Sequence, residues 1–222
     1  MINWQIPGRS FDGQAVLGEI GLSLQPGESH CLIGPSGFGK TTLLNILADL
    51  DVDGVKTVWQ GEKPQIGYLF QQPRLLPWRT LRENLLLVKD DNAAVEEMLD
   101  AVNLKDYADF YPSRISLGMA RRAALARCLL VEPELVLMDE PLVSLDTPTA
   151  AQMRRLIKRL VCDHPTRCLI YVTHDLDEAL EMGDRISVLG GRPAQLVFSA
   201  SSTELSRDML DQKLHEQFST VA

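Results

Sequence analysis

The eight residues 34–41 have the types and the order needed to hold a phosphate chain. They read Gly-Pro-Ser-Gly-Phe-Gly-Lys-Thr and fit the pattern G-x-x-x-x-G-K-[ST]. Glycines let the backbone curl so that its N–H groups point at phosphate oxygens, and a following helix adds the dipole of its N-terminus. Lys40 would place a positive charge between the β- and γ-phosphates, while the Thr41 hydroxyl would ligate Mg²⁺. The pattern predicts a nucleoside triphosphate site made by Gly34, Pro35, Ser36, Gly37, Phe38, Gly39, Lys40, Thr41 and Thr42.

Asp139 and Glu140 supply a second set of chemical groups. They follow the apolar run 135–138, and carboxylates after a buried parallel strand lie at the sheet edge where α/β proteins bind ligands. Asp139 would hold Mg²⁺, directly or through water, and Glu140 would orient and deprotonate the attacking water. By itself, such a pair of acids more often belongs to a solvated loop. With a phosphate loop upstream, a functional site becomes the favoured interpretation. The two motifs together predict hydrolysis of the nucleotide.

Three short apolar runs are predicted to be the buried parallel strands that position these groups. They cover residues 30–33, 135–138 and 168–172 and are continuous rather than alternating, as expected for strands covered on both faces. Between the last two, apolar residues recur with helical spacing, which makes a strand–helix–strand unit of a parallel sheet. Residues 14–25 and 56–70 are rich in β-formers and Gly/Pro turns and predict a smaller antiparallel layer.

Residues 73 to about 130, which lie between the first two strands, are predicted to be helical, with helices at 79–88, 92–102 and 116–130. A capping box of Ser201 and Glu204 is expected to begin a C-terminal helix. The fold class is α/β: a P-loop NTPase with a RecA-like parallel sheet core, an antiparallel β layer and a helical subdomain. One domain is expected over 1–222, with the core and β layer in about 1–71 and 131–200, the helical subdomain in about 72–130, and the C-terminal helix in 201–222.

The composition limits the classes of protein that remain. The 222 residues include 22 Lys and Arg against 30 Asp and Glu, a net charge of −8, with 45% hydrophobic and 23% charged residues. These fractions are ordinary for globular proteins and exclude a disordered or fibrous chain. The acidic balance argues against nucleic acid or an anionic lipid surface as the main partner. The sequence has no bilayer-long apolar run, no signal-peptide pattern and no CxxC pairing among its four cysteines, which favours a cytoplasmic protein.

Beyond these motifs, the sequence resembles the ATP-binding cassette (ABC) ATPases over nearly its whole length. Residues 115–119, Ile-Ser-Leu-Gly-Met, are similar to the family signature LSGGQ, and residues 120–127 to the helix that follows it. From the residues alone, Ser116 is a good helix N-cap and Gly118 lets the backbone approach an anion. The resemblance implies that both face the γ-phosphate held by the phosphate loop of a second copy. Leu117 stands where the signature usually has Gly, so a weakened rather than abolished function is expected.

Further residues match motifs of the family one by one. Gln71 matches the Q-loop glutamine, which links Mg²⁺ and water to the helical subdomain, and His174 matches the switch histidine that contacts the γ-phosphate. Asp146 matches the D-loop, which crosses the dimer interface. Phe11 resembles the aromatic that stacks on adenine, with Val16 beside it, although an aromatic in such a strand is more often a core residue. The implied ligands are ATP and Mg²⁺, with catalysis assigned to Glu140, His174 and Gln71 and metal binding to Thr41, Gln71 and Asp139.

Residues 73–78, from Pro73 to Trp78, resemble a segment of importers of the nitrate, sulfonate, taurine and pyrimidine-precursor type. Trp78 with two leucines and two prolines would form a rigid apolar surface for a partner helix, and a buried loop is an equally good interpretation. The resemblance implies an ATP-hydrolysing transporter subunit, here of an importer, on the cytoplasmic face of the cell membrane. Its partners would be a second copy in a head-to-tail dimer, integral membrane permease subunits and, indirectly, a solute-binding protein, but no nucleic acid.

Two other functions stay open. Soluble ABC ATPases of DNA repair or translation share the cassette, but they usually carry two cassettes per chain or long insertions. A weakly hydrolysing regulatory subunit would fit Leu117, but it would have no need of the intact Lys40, Asp139, Glu140 and His174. Co-purification with permease subunits separates a transporter from the first alternative, and an ATPase assay separates it from the second.

Overall fold

The computed structural model of the chain describes residues 1–51 and 54–219. Its strands in chain order are β1 (Ile2–Ile6), β2 (Arg9–Phe11), β3 (Gln14–Leu17), β4 (Ile20–Leu24), β5 (Ser29–Ile33), β6 (Val58–Trp59), β7 (Ile66–Leu69), β8 (Leu135–Asp139), β9 (Cys168–Val172), β10 (Arg185–Gly190) and β11 (Gln195–Ser201). Its α-helices are α1 (Lys40–Leu47), α2 (Leu81–Leu86), α3 (Asn92–Ala101), α4 (Leu117–Leu129), α5 (Thr147–Ile157), α6 (Leu176–Met182) and α7 (Arg207–Ser219). Short 3₁₀ turns occupy Lys105–Tyr107, Pro112–Arg114 and Ser202–Glu204, and a π-helical turn, Lys158–Cys162, extends α5.

A six-stranded sheet carries the predicted chemistry. Its strand order is β11-β10-β5-β9-β8-β7, with β11 antiparallel to β10 and the other neighbours parallel. Every residue of β5, β8 and β9 is buried, which confirms the three strands predicted from continuous apolar runs. Because these strands adjoin and run parallel, the segments after their carboxyl ends meet at one edge of the sheet. Those segments are the phosphate loop, Glu140 and the turn that holds His174.

The expectation that all of residues 56–70 belong to an antiparallel layer is wrong for β7. Ile66 pairs with Leu135 and Leu69 with Met138 in a parallel ladder, so β7 is the edge strand of the main sheet. Its burial alternates because one face of an edge strand is less covered, and its content of β-formers does not distinguish a parallel from an antiparallel strand. The separate antiparallel sheet is smaller, with the order β4-β1-β6, and β2 and β3 form a hairpin of their own. The parallel placement of β7 delivers Gln71 to the edge where Glu140 lies.

The three helices predicted between the first two strands are confirmed as α2, α3 and α4, which are four, one and two residues shorter than expected. Side chains that the sequence places at the helix starts cap them: Thr80 forms a capping box with Glu83, Asp91 accepts from two backbone N–H groups, and Ser116 accepts from Met119 N. The helices share a core in which Leu85, Leu99 and other residues are fully buried. Nearly all residues of this core lie between 72 and 130, and the division of the chain at these positions stays a prediction.

The predicted capping box of Ser201 and Glu204 is wrong. Ser201 still pairs with Arg185 as the last residue of β11, and its side chain makes no capping bond. The helix begins later, at Arg207, where the Ser206 hydroxyl accepts from Met209 N at 3.3 Å. Leu210 from this helix is fully buried in the core beneath the main sheet. Of the C-terminal helix expected over 201–222, residues 220–222 lie outside those the structure describes.

His30 gives the fold a predictable dependence on pH. It is fully buried in β5, with Nε2 2.8 Å from Ser187 Oγ. Burial, together with the charge of Arg185, lowers its pKa from 6.5 to about 4. The unfolded chain therefore binds a proton that the folded chain excludes, and stability is lost as the pH falls from 6.5 towards 4. Between pH 7 and pH 4, the free energy of unfolding should fall by about 3 kcal/mol more than in a His30→Gln variant. Urea unfolding across this range checks it, and parallel curves for the two proteins would contradict it.

Candidate functional site

The phosphate loop curls around the end of its own lysine. Gly37 and Gly39 adopt φ of 82° and 81°, and a Cβ on Gly39 would lie 2.6 Å from Leu17 Cδ2, so this position requires glycine. Lys40, the first residue of α1, is 6% exposed and its Nζ donates to Gly34 O at 2.7 Å and to Pro35 O at 2.9 Å. Burial lowers the pKa of Lys40, and the nearby charges of Glu140 and Asp139 counteract this. The ammonium group is thus held inside the loop, where an anion would be its natural partner.

A cavity of about 340 Å³ opens on this loop. Its lining consists of residues that the sequence predicted: Val16, Ser36, Gly37, Gly39, Lys40, Thr41, Thr42, Gln71, Asp139 and Glu140. The volume is within the range of small-molecule sites. The agreement shows that local motifs separated by up to 124 positions in the chain form one concave site.

Thr41 and Asp139 form the part of the site that suits a hard cation. The Thr41 hydroxyl donates to Asp139 Oδ2 at 2.8 Å, across the start of α1 and the end of β8. Burial raises the pKa of Asp139, while the hydrogen bond from Thr41 lowers it. A hydroxyl and a carboxylate side by side are oxygen donors of the kind that Mg²⁺ prefers, so these residues fit the metal.

Glu140 stands at the centre of the predicted catalytic group. Its φ of 45° is unusual for a residue with a side chain, and its N–H donates to Val172 O at 2.9 Å. Gln71 Nε2 donates to Glu140 Oε2 at 3.3 Å, and His174 Nδ1 lies 3.3 Å from Glu140 Oε1. The strained backbone therefore turns the carboxylate to a point between two polar side chains. His174 lines a second cavity, of about 330 Å³, which Glu140 also borders.

Two predicted ATP-binding aromatics do not line the phosphate cavity. The Phe38 ring packs against the core, with the Arg192 guanidinium 5.9 Å from its centroid. Phe11 is 42% exposed, and the Arg9 guanidinium lies 4.1 Å from its ring centroid. Phe11 is therefore not a core residue, and its contact with adenine stays a prediction. Gly34 and Pro35 contribute through the carbonyl groups that hold Lys40.

Ser116, Gly118 and Asp146 also lie outside the phosphate cavity of their own chain. Ser116 and Asp146 cap α4 and α5, and hydrogen bonds from Thr149 lower the pKa of Asp146. A Cβ on Gly118 would lie 2.4 Å from Thr149 Cγ2, so the two helix starts pack closely and Gly118 has no room for a side chain. Leu117 is 44% exposed at the first position of α4. Ser116, Leu117 and Asp146 are exposed, whereas Gly118 is buried, and none of the four lines the phosphate cavity of its own chain.

The segment 73–78 is held by two residues that sequence reasoning missed. Asn84 is fully buried; its Oδ1 accepts from Leu76 N at 2.7 Å, and its Nδ2 contacts three carbonyl oxygens. Arg127 of α4 donates to the carbonyls of Arg74 and Pro73. Trp78 is left 70% exposed, which contradicts a buried loop at this residue. A polar Asn between the buried Leu81 and Leu85 of an amphipathic helix was the available signal for this anchor.

A parallel sheet whose phosphate loop and acidic strand end share one cavity defines a P-loop nucleotide hydrolase. Residues 17–143 match the family model described as ABC transporter. Aliphatic sulfonates import ATP-binding protein SsuB 1 of Xanthomonas axonopodis pv. citri (strain 306) is 40% identical over 228 residues, which cover 95% of this chain and 88% of that protein. The SsuB protein of Delftia acidovorans is 45% identical over 184 residues, 82% of this chain and 76% of that protein.

A solved structure agrees. It is the ATP-binding cassette MJ0796, a dimer in a post-hydrolysis state bound to ADP and Pi, with 26% identity and a TM-score of 0.75 over 91% of this chain and 99% of that one. The chain belongs to the ABC transporter family, and it is an ATPase that couples ATP hydrolysis to transport. The predicted family and fold class are confirmed. Among the described residues, no helix is long and apolar enough to cross a membrane.

Proposed function

We propose that this chain is the ATP-hydrolysing subunit of an importer of aliphatic sulfonates. The observation that carries the proposal is its 37–45% identity, over 82–95% of its length, to proteins named for that import. The exposed Trp78 segment, in which the sequence resembles importers of the same type, supports it. Both alternatives, a soluble non-transport ATPase and a regulatory subunit, lack such support.

The chemistry we assign to the site uses residues that already contact one another. The phosphate loop and Lys40 bind the triphosphate, and Thr41 and Asp139, with Gln71, hold Mg²⁺, which supplies charge neutralisation on the phosphate oxygens when bound. Glu140 accepts a proton from the attacking water. Gln71 and His174 hold its carboxylate from two sides, which supports their assignment as orienting groups. Phe11 and Val16 are assigned to the adenine.

Two copies complete the site. Ser116, Gly118 and Asp146 are assigned to the γ-phosphate side of the partner copy, in a head-to-tail dimer. Their position away from the cavity of their own chain supports this, and so does the dimeric state of the similar cassette. Closure over ATP and reopening after hydrolysis would alternate the access of the membrane subunits. The permease would dock at residues 73–78 from the cytoplasmic face of the membrane, with the solute-binding protein acting through it.

Growth tests the proposed cargo. Deleting the gene in its source organism should abolish growth on ethanesulfonate as the only sulfur source and leave growth on sulfate unchanged. Complementation with the wild-type gene should restore growth, and the same gene carrying Lys40→Ala should not. A deletion strain that grows normally on several alkanesulfonates would contradict sulfonate import, while leaving the ATPase activity itself untouched.

Trp78 should matter only to assembly with the permease. Its side chain is 70% exposed and contributes nothing to the phosphate cavity. Trp78→Ala should reduce co-purification of the permease subunits at least about tenfold, because aromatic anchors dominate binding energy at interfaces. Its ATP affinity should stay at the wild-type value. Val58→Ala, at another exposed apolar residue, is the control, and equal recovery of permease with both variants would contradict the assignment.

Leu117 should limit the rate of hydrolysis. Its side chain projects from the first turn of α4, where the signature motif usually has Gly. Leu117→Gly should raise the ATPase rate several-fold, because the backbone of α4 could then approach the partner's nucleotide, at a cost of up to about 1 kcal/mol in helix stability. Leu87→Gly changes another exposed leucine at a helix end and should have no such effect. An unchanged rate for Leu117→Gly would mean that the leucine is already accommodated.

A further inference from the structure

The turn that carries His174 is closed by hydrogen bonds between its neighbours. Thr173 follows the last residue of β9, and Asp175 is the N-cap of α6. Asp175 N donates to Thr173 Oγ1 at 3.0 Å, and the Asp175 carboxylate accepts from Glu178 N at 3.0 Å. The Thr173 hydroxyl in turn donates to Glu178 Oε2 at 2.8 Å. Residues 173, 175 and 178 thus form a ring of hydrogen bonds around the backbone of His174.

Glu178 also joins this ring to the interior of the protein. The hydroxyl of Tyr171, which is fully buried in β9, donates to the same Glu178 Oε2 at 3.1 Å. Thr173 is only 2% exposed, so the side chains of both donors are held in place by the packing around them. Glu178 borders the 330 Å³ cavity that Glu140 and His174 also line. Through this one oxygen, Oε2, Glu178 connects the turn at residues 173–175 to the buried strand β9.

His174 has no comparable support of its own. Its side chain is 59% exposed, and within the described residues the close polar contact of its ring is the one to Glu140 at 3.3 Å. Because most of the His174 side chain is exposed, its position depends strongly on the backbone from which it extends. The geometry between His174 and Glu140 is therefore set by whatever fixes residues 173–175.

We propose that Glu178 is a positioning residue for ATP hydrolysis: by accepting hydrogen bonds from Thr173 and Tyr171, it fixes the backbone from which His174 reaches Glu140. The inference rests on the orienting role proposed above for His174. Glu178 serves as an acceptor in both bonds, so a neutral amide oxygen at the same place can do its work. The negative charge of Glu178 is not required.

Two matched pairs of variants test this. Glu178→Ala and Thr173→Val remove the hydrogen bond between the side chains of residues 173 and 178, whereas Glu178→Gln and Thr173→Ser keep it. The first two should lower kcat about tenfold with an unchanged KM for ATP, since small misplacements of a catalytic group have effects of up to about 100-fold. They should also shift the ring resonance of His174 in histidine-labelled protein, identified by its loss in His174→Ala. The two conservative variants should keep both values. Thr173→Val serves the test if Glu178→Ala does not fold.

Three results would overturn the inference. The first is wild-type kcat in Glu178→Ala or Thr173→Val, and the second is a lowered kcat with an unmoved His174 resonance, which a general loss of stability would produce. The third is a Glu178→Gln variant as slow as Glu178→Ala, which would make the charge essential. His174→Ala is measured beside them. Wild-type kcat in that variant would overturn the role of His174 itself, whereas a slow His174→Ala with a fast Glu178→Ala would overturn only the inference about Glu178.

Discussion

Lys40→Ala should weaken ATP binding at least about 100-fold, the equivalent of losing two charge-assisted hydrogen bonds. The ammonium group is buried in the phosphate loop and already bonded to Gly34 O and Pro35 O, so it needs little reorganisation to meet a phosphate. Its removal also takes away the two hydrogen bonds to carbonyl groups of the phosphate loop. Isothermal titration with ATP measures the effect.

Lys63→Ala is the matched control for Lys40→Ala. Lys63 is an exposed lysine whose partner is Asp49, away from the phosphate cavity. The Lys63→Ala protein should bind ATP with the affinity of the wild type. A Lys40→Ala protein whose ATP affinity is within about twofold of the wild-type value would contradict a role of Lys40 in binding, because loss of even one weak charged contact should lower the affinity by more than about twofold.

Glu140→Gln should separate binding from chemistry. The amide keeps the size of the side chain but cannot take a proton from water, and loss of a general base typically lowers the rate by about 10²–10⁴-fold. ATP affinity should stay within a few-fold of the wild type, because Lys40 and the loop glycines, which bind the phosphates, are unchanged. Single-turnover hydrolysis and ATP titration on the same preparation measure both quantities.

Glu62→Gln, on the exposed surface far from the phosphate cavity, controls for the loss of one negative charge. Its turnover should equal that of the wild type. A Glu140→Gln protein that hydrolyses ATP at the wild-type rate would place the base elsewhere, and the carboxylate of Asp139 would then be the next group to change.

The nucleotide site was predictable because its signals are local. The glycine and lysine spacing of residues 34–41 and the acids after β8 need no knowledge of the fold, and fully buried strands appear in the sequence as continuous apolar runs. These features gave most of the lining of the phosphate cavity, and the resemblance to the family added Val16 and Gln71.

The features that failed depend on contacts between distant segments. The β-formers and Gly/Pro turns of residues 56–70 do not reveal which strand β7 pairs with, because its partner β8 lies 69 positions further along the chain. The helix α7 begins later than predicted because Ser201 is still paired with Arg185 in the sheet, and a local capping pattern cannot reveal this pairing. The ring around His174 and the anchoring by Asn84 arise from hydrogen bonds that exist only after folding.

Among the residues assigned to the nucleotide, Ser116, Gly118 and Asp146 lie outside the phosphate cavity of their own chain. Their proposed role at the γ-phosphate therefore requires a second copy in opposite orientation. That requirement makes the association state depend on ATP. It also makes hydrolysis by a monomer incompatible with the account.

Light-scattering mass of Glu140→Gln, with and without ATP and Mg²⁺, shows whether two copies of the chain share each nucleotide. The substitution blocks water activation and should trap the closed state, so the mass should rise from that of one 24.7 kDa chain to twice that value when ATP is present. The double variant carrying Lys40→Ala as well should stay at the mass of one chain. A Glu140→Gln protein that is saturated with ATP and still has the mass of one chain would contradict a nucleotide site shared between two copies.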